Sequence, residues 1–140
     1  MSALELPLSF SEKRNLYKLY MLDTGLLCAM SMDGIQSALM SGDIRVNEGA
    51  VAAALAQKGI PLYYYDKKTR MELDFVFKDN NRLSIIEVKS GSEFRRHAAL
   101  DNASADYPKK FRRRIVLCNS NVEVADNGVI YLPLYMAMMI

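Results

Sequence analysis

The chain has 140 residues, 51% of them apolar and 24% charged, enough for one domain with its own packed core and too few for an ATPase and a nuclease side by side. Its 18 basic and 16 acidic side chains leave a formal charge of +2, too small for the field of the whole molecule to attract nucleic acid or an acidic membrane. Any polyanion-binding surface must therefore be local. Cys28 and Cys118 lie far apart and lack the close spacing of a zinc site, which suits a reducing compartment. The start, Met1 to Phe10, has Glu5 inside its apolar part and no positive leader, and no apolar run reaches about 18 residues. The expectation is a soluble, cytoplasmic protein with no membrane partner.

In chain order, YKLYML (17–22) reads as a short strand ended by Asp23-Thr24-Gly25, and LLCAM and IQSALM read as two short helical pieces. VNEGAVAAALAQK (46–58) is the best helix, rich in Ala and Leu and stopped by Gly59 and Pro61. Three strand-like runs follow, LYYYD (62–66), MELDFVF (71–77) and LSIIEVKS (83–90), the last two joined as a hairpin through 78–82. Ser92 is placed to cap a helix running to about Ala105, closed by Tyr107-Pro108. RIVLCN (114–119) and VIYLPLY (129–135) complete the list as strands. The order predicts an α/β fold, a mixed sheet flanked by helices, with 1–140 as one domain: an N-terminal part over 1–45 and a core over 46–140.

Chemistry concentrates in Glu48, Asp74, Glu87 and Lys89. Glu87 and Lys89 stand two apart on a strand and leave the same face. In MELDFVF the apolar Met71, Leu73, Phe75 and Phe77 form one face, with Glu72 and Asp74 on the other. A hairpin loop of about five residues sets position 74 opposite 86 or 87, within about 4.5–8 Å between Cβ atoms. Two carboxylates that close need a cation or a shared proton, and Mg²⁺ (or Mn²⁺) takes one or two carboxylates plus water and phosphate oxygens. Asp74 and Glu87 are the expected metal ligands. Glu48 sits on the stripe of Val51, Ala52 and Leu55 and leans toward the sheet, although a place near the helix N-terminus explains it equally well. Lys89 would orient water or stabilise developing negative charge rather than act as base.

With these residues assembled, the sequence resembles the PD-(D/E)XK nuclease-like superfamily. The motif stands as Asp74, twelve intervening residues, Glu87-Val88-Lys89, and a preceding helical Glu48. KLYMLDTGLL (18–27), NEGAVAAAL (47–55), ELDFVF (72–77), IIEVKSG (85–91) and VIYLPLYMA (129–137) are similar to a recurrent C-terminal domain, of unassigned function, of bacterial and archaeal AAA-type ATPases. The resemblance implies a restriction-endonuclease-like αβββαβ core, with 1–45 the remnant of a larger ATPase-associated region. It also implies catalytic roles for Asp74, Glu87, Lys89 and Glu48 in Mg²⁺-dependent cleavage of DNA. An ATPase module is the implied partner, while the absence of a GxxxxGK[ST] loop argues against ATP binding by this chain.

Two basic clusters offer a DNA surface, Arg95-Arg96 and the run Lys109, Lys110, Arg112, Arg113, Arg114. The run reads equally well as a solvated turn. His97 reads as a surface helix residue, Tyr63 to Tyr65 as half-buried packing, Glu72 as the partner of a basic neighbour, and Met136, Met138 and Met139 as core or partner contact. The alternatives to an enzyme are a DNA-binding module that does not cut and a module that couples an ATPase to a partner.

Overall fold

A computed structural model describes residues 3–12, 17–23, 25–26, 29, 44–67 and 71–140. A six-stranded mixed sheet runs in the order β1-β2-β3-β4-β6-β5. Its strands are β1 (Tyr63–Lys67), β2 (Met71–Asp79), β3 (Arg82–Val88), β4 (Phe111–Cys118), β5 (Glu123–Val124) and β6 (Ile130–Pro133). Helix α1 (Ile44–Gln57) precedes them, and α2 (Ala98–Asp106) makes the crossover from β3 to its parallel neighbour β4. The first three strands pair antiparallel, β4 and β6 parallel, and β5 closes the far edge antiparallel to β6.

Each side of the sheet has its own core. On one side Val51, Ala52 and Leu55 of α1 pack on Phe75, Phe77, Ile86, Val88, Ile115 and Leu117. On the other, Leu100 and Ala103 of α2 and Leu4 and Leu8 of the N-terminal segment cover Leu73, Val76, Leu83, Ile85, Val116 and Tyr131. Helix α1 ends as its sequence requires. Gly59 takes φ +69°, its N–H donates to Ala56 O at 2.9 Å and Ile60 N–H to Leu55 O at 3.1 Å, the paired bonds of a Schellman stop.

Several expectations need correcting. YKLYML forms no strand: 17–22 carry no regular structure. Of the two short helical pieces, Gly25, Leu26 and Ala29 are helical, while IQSALM lies outside the described residues. The β2–β3 loop is tighter than five residues, because Asp79 already pairs with Arg82 and Asn80 turns the chain with φ +57°, as two-residue hairpins demand. The second helix starts at Ala98, with His97 rather than Ser92 at the N-cap position and without a side-chain capping bond. Phe94 explains the delay: its ring meets Tyr131 edge-on at 5.7 Å, and that anchoring holds 92–97 in turns. His97 is buried, not surface, with Nε2 2.7 Å from the Tyr131 hydroxyl. The strand expected over 129–135 stops at Pro133 and gives way to a 3-10 segment, Leu134–Met139, from which Met138 and Met139 project into solvent. The two-residue β5 was not anticipated.

The single-face reading of β2 also fails. Leu73 belongs to the α2-side core and Phe75 and Phe77 to the α1-side core. Tyr63 pairs with Val76 but Tyr65 with Leu73, so Asp74 and Phe75 together oppose Tyr64. This is a β-bulge, which shifts the alternation by one and re-aims the side chain at the bulge. The residue there is Asp74.

Candidate functional site: a carboxylate cavity at the β2 bulge

A cavity of about 460 Å³ opens beside the bulge, bordered by Glu48 of α1, Glu72 and Asp74 of β2, and Glu87 through Gly91 at the end of β3, with Glu93 and Phe94 beyond. The four residues singled out in the sequence thus border one space. Asp74 is brought to Glu87 by the hairpin register, which runs through Phe75 opposite Ile86. Its Oδ2 accepts a hydrogen bond from Val88 N–H at 2.9 Å, so the side chain takes a place at the strand end where the ladder would otherwise continue. Lys89 Nζ lies 2.8 Å from Glu87 Oε1.

Burial sets the electrostatics. Glu87 is 5% exposed, and its Oε2 is buried with no hydrogen-bond partner among the described residues. Desolvation, followed by the nearby Asp74 carboxylate, pushes its carboxyl up to about 7 against the pull of Lys89. Asp74 is also raised, by desolvation, although the Val88 N–H and the Lys18 and Lys89 charges oppose the shift. Glu48 is raised by desolvation and then by Asp74. Because α1 begins at Ile44 and carries no acid in its first turn, Glu48 is no cap. It lies a full turn in, on the stripe that Val51, Ala52 and Leu55 bury.

Sequence reasoning missed Lys18 and Tyr20, since nothing local in YKLYML tells of a contact with residues fifty positions later. Lys18 Nζ is 2.6 Å from Glu72 Oε1 and 3.8 Å from Asp74 Oδ1. Burial pulls its pKa down, but the Glu72 hydrogen bond and the charges of Tyr20 and Asp74 outweigh this and hold it at about 12. Tyr20 packs on Phe75, ring centroids 5.4 Å apart, and desolvation raises its hydroxyl to about 12.

The basic run 109–114 sits elsewhere. Arg112 Nη1 and Arg113 Nε bind Asp79 at 2.8 and 2.7 Å, holding its carboxyl down to about 2 despite desolvation. Arg113 pairs with Ser84 and Val116 with Glu87, so three residues of strand, roughly 10 Å, separate the arginines from the carboxylate end. Arg114 binds Ser104 Oγ and the Asn127 carbonyl. Lys109 turns the chain with φ +66°, and Lys110 lies over the Tyr107 ring. Arg95 grips Glu123 with two hydrogen bonds of 2.9 and 2.7 Å, and Arg96 pairs with Glu93 at 2.8 Å. The two clusters do not form one strip of free charge along the cavity.

Among the described residues no three His, Cys, Asp or Glu side chains cluster closely enough to cage a metal ion, and no helix is long and apolar enough to cross a membrane. No curated protein and no solved structure matches the chain. Residues 45–136 match the model of a domain of unknown function, DUF4143, a range that holds Glu48, Asp74, Glu87 and Lys89 and leaves out Lys18 and Tyr20. Since the match spans well over half of the chain, the protein belongs to the DUF4143 family.

Proposed function

We propose that the chain is a PD-(D/E)XK nuclease-like domain with a restriction-endonuclease-like core, hydrolysing phosphodiester bonds in DNA with Mg²⁺ or Mn²⁺. The observation that carries this reading is the buried, unpartnered Oε2 of Glu87 in a cavity it shares with Asp74. A carboxylate oxygen there leaves free energy unspent until it meets a cation or a proton. Asp74 and Glu87 would hold the ion. Two carboxylates with water and phosphate oxygens are the set Mg²⁺ prefers. When bound, a divalent ion supplies Lewis acidity at the scissile phosphate and acidifies a water molecule.

The chain's own groups supply the rest. Lys89, held on Glu87, offers an ammonium to the negative charge that develops on the phosphate. Glu48 faces the same space with its proton affinity raised, which suits a group that takes a proton from the attacking water. The water oxygen bonds to phosphorus as the ester oxygen leaves with its electron pair and gains a proton. A link to an AAA-type ATPase is the partner reading that goes with the family resemblance.

Incubation with supercoiled and linear DNA plus Mg²⁺ or Mn²⁺ tests the reading. Metal-dependent cleavage should fall by roughly 10²–10⁴ in Asp74→Ala, Glu87→Ala and Lys89→Ala. Absence of cleavage, or cleavage unchanged in Asp74→Ala, rejects it. The Arg112 and Arg113 contacts with Asp79 favour a structural over a DNA-gripping role for that cluster, so a module that binds without cutting is the weaker reading.

A further inference from the structure

The segment 17–22 runs beside β2 without joining the sheet and brings Lys18 to two carboxylates of the cavity wall. Its side chains alternate, with Tyr17 and Leu19 exposed (73% and 86%) and Lys18 and Tyr20 turned inward. Lys18 reaches the two β2 carboxylates, and its Nζ also stands 5.5 Å from the centre of the Tyr64 ring.

Glu48, Glu72, Asp74 and Glu87 face the ammonium groups of Lys18 and Lys89, while Glu93 is already matched by Arg96. With all four carboxylates ionised, the two ammonium groups leave an excess of two negative charges, the charge that one divalent ion would neutralise. Without Lys18, that excess would rise from two negative charges to three. The buried Oε2 of Glu87 has no hydrogen-bond partner among the described residues, whereas Glu72 already holds Lys18.

Resting on the divalent-cation reading above, we propose that Lys18 is a built-in competitor for the carboxylate charge: it occupies the Glu72 end of the cavity, limits the site to a single divalent ion and weakens the hold on that ion. Lys18 is thus a positioning residue that sets how many ions bind and how tightly. It acts from outside the stretch matched by the family.

Mn²⁺ titration of the full chain, by calorimetry and by the loss of the free-ion paramagnetic signal, tests this. Wild type should bind one Mn²⁺. Lys18→Met, which keeps the length and apolar stem of the side chain, should bind a second ion or bind the first at least about tenfold tighter, and Lys18→Gln should do the same. Lys18→Arg should behave as wild type. Unchanged number and affinity in Lys18→Met, or weaker binding, overturns the inference. Loss of fold in both neutral variants makes Lys18 structural and overturns it too. Absence of Mn²⁺ binding by wild type and variants alike removes the cation reading together with the inference, an outcome distinct from unchanged binding.

Discussion

Between the ordinary glutamate value of about 4.3 and its raised value of about 7, Glu87 keeps a proton in the folded chain that it releases in the unfolded one. The stability this lends is complete below about pH 4 and disappears as pH rises through 7. Above pH 7 the folded chain carries a buried charge beside the Lys89 ammonium. Glu87→Gln should therefore raise the unfolding free energy at pH 8 by on the order of 1–3 kcal/mol, read as a higher melting temperature, and change it little at pH 4. A shift of equal size at both pH values would show that the gain has nothing to do with ionisation. The same variant should lose cleavage, the usual conflict between a stable core and a working site. Glu87, Lys89, Asp74 and Glu48 were readable as candidates because side-chain type, strand period and helix period all operate over a few residues. Lys18 was not, because its role depends on a contact between segments that sequence spacing does not encode.

At the scale of elements, the bulge in β2 decides the site. Alternation in MELDFVF suggested one apolar face, yet Leu73 and Phe75 enter different cores, and the residue at the crossover is the aspartate. Tertiary demand explains it: both sides of the sheet are covered, so β2 must supply apolar side chains to each. The basic run is likewise settled by its neighbours. Asp79, at the end of β2, takes Arg112, Arg113 and the Ser84 hydroxyl, tying the hairpin to β4. Its lowered pKa means this clamp is intact above about pH 4 and is lost as pH falls through about 2. Asp79→Ala should cost about 1–3 kcal/mol at pH 7 in a denaturant titration. A variant as stable as wild type would mean the arginines are held by other means. Helix α1 was predicted nearly to the residue, since the Ala-rich run and the Gly59 stop are local signals. The start of α2 was not, because Phe94 and Arg95 are drawn to Tyr131 and Glu123 from another part of the chain.

For the whole molecule, a modest net charge of +2 hides an uneven distribution: acids gather at the β2–β3 end of the sheet while many arginines are spent on ion pairs elsewhere. The folded state at neutral pH thus contains a region of mutual repulsion that a cation would relieve. Mg²⁺ or Mn²⁺ at about a hundred times its dissociation constant should stabilise the chain by about 2.7 kcal/mol at pH 8. Near pH 4.5, where Glu87 remains protonated and Glu48 and Asp74 are likewise raised, the gain should largely vanish. Melting curves with and without metal at the two pH values measure it, and an equal gain at pH 4.5 would place the ion outside this cavity.

What the amino-acid sequence determined by itself was the mixed α/β layout, the long helix and its stop, the β2–β3 hairpin and the four polar residues that come to border one cavity. Each follows from interactions between residues close in the chain. The tertiary structure alone decided which way Asp74 faces, that Glu48 is a cavity wall rather than a cap, that the basic run clamps a hairpin, and that Lys18 shares the site. Those outcomes depend on two cores competing for one strand and on charges from distant segments meeting in a partly buried space, where the free energy of each group is set by its neighbours.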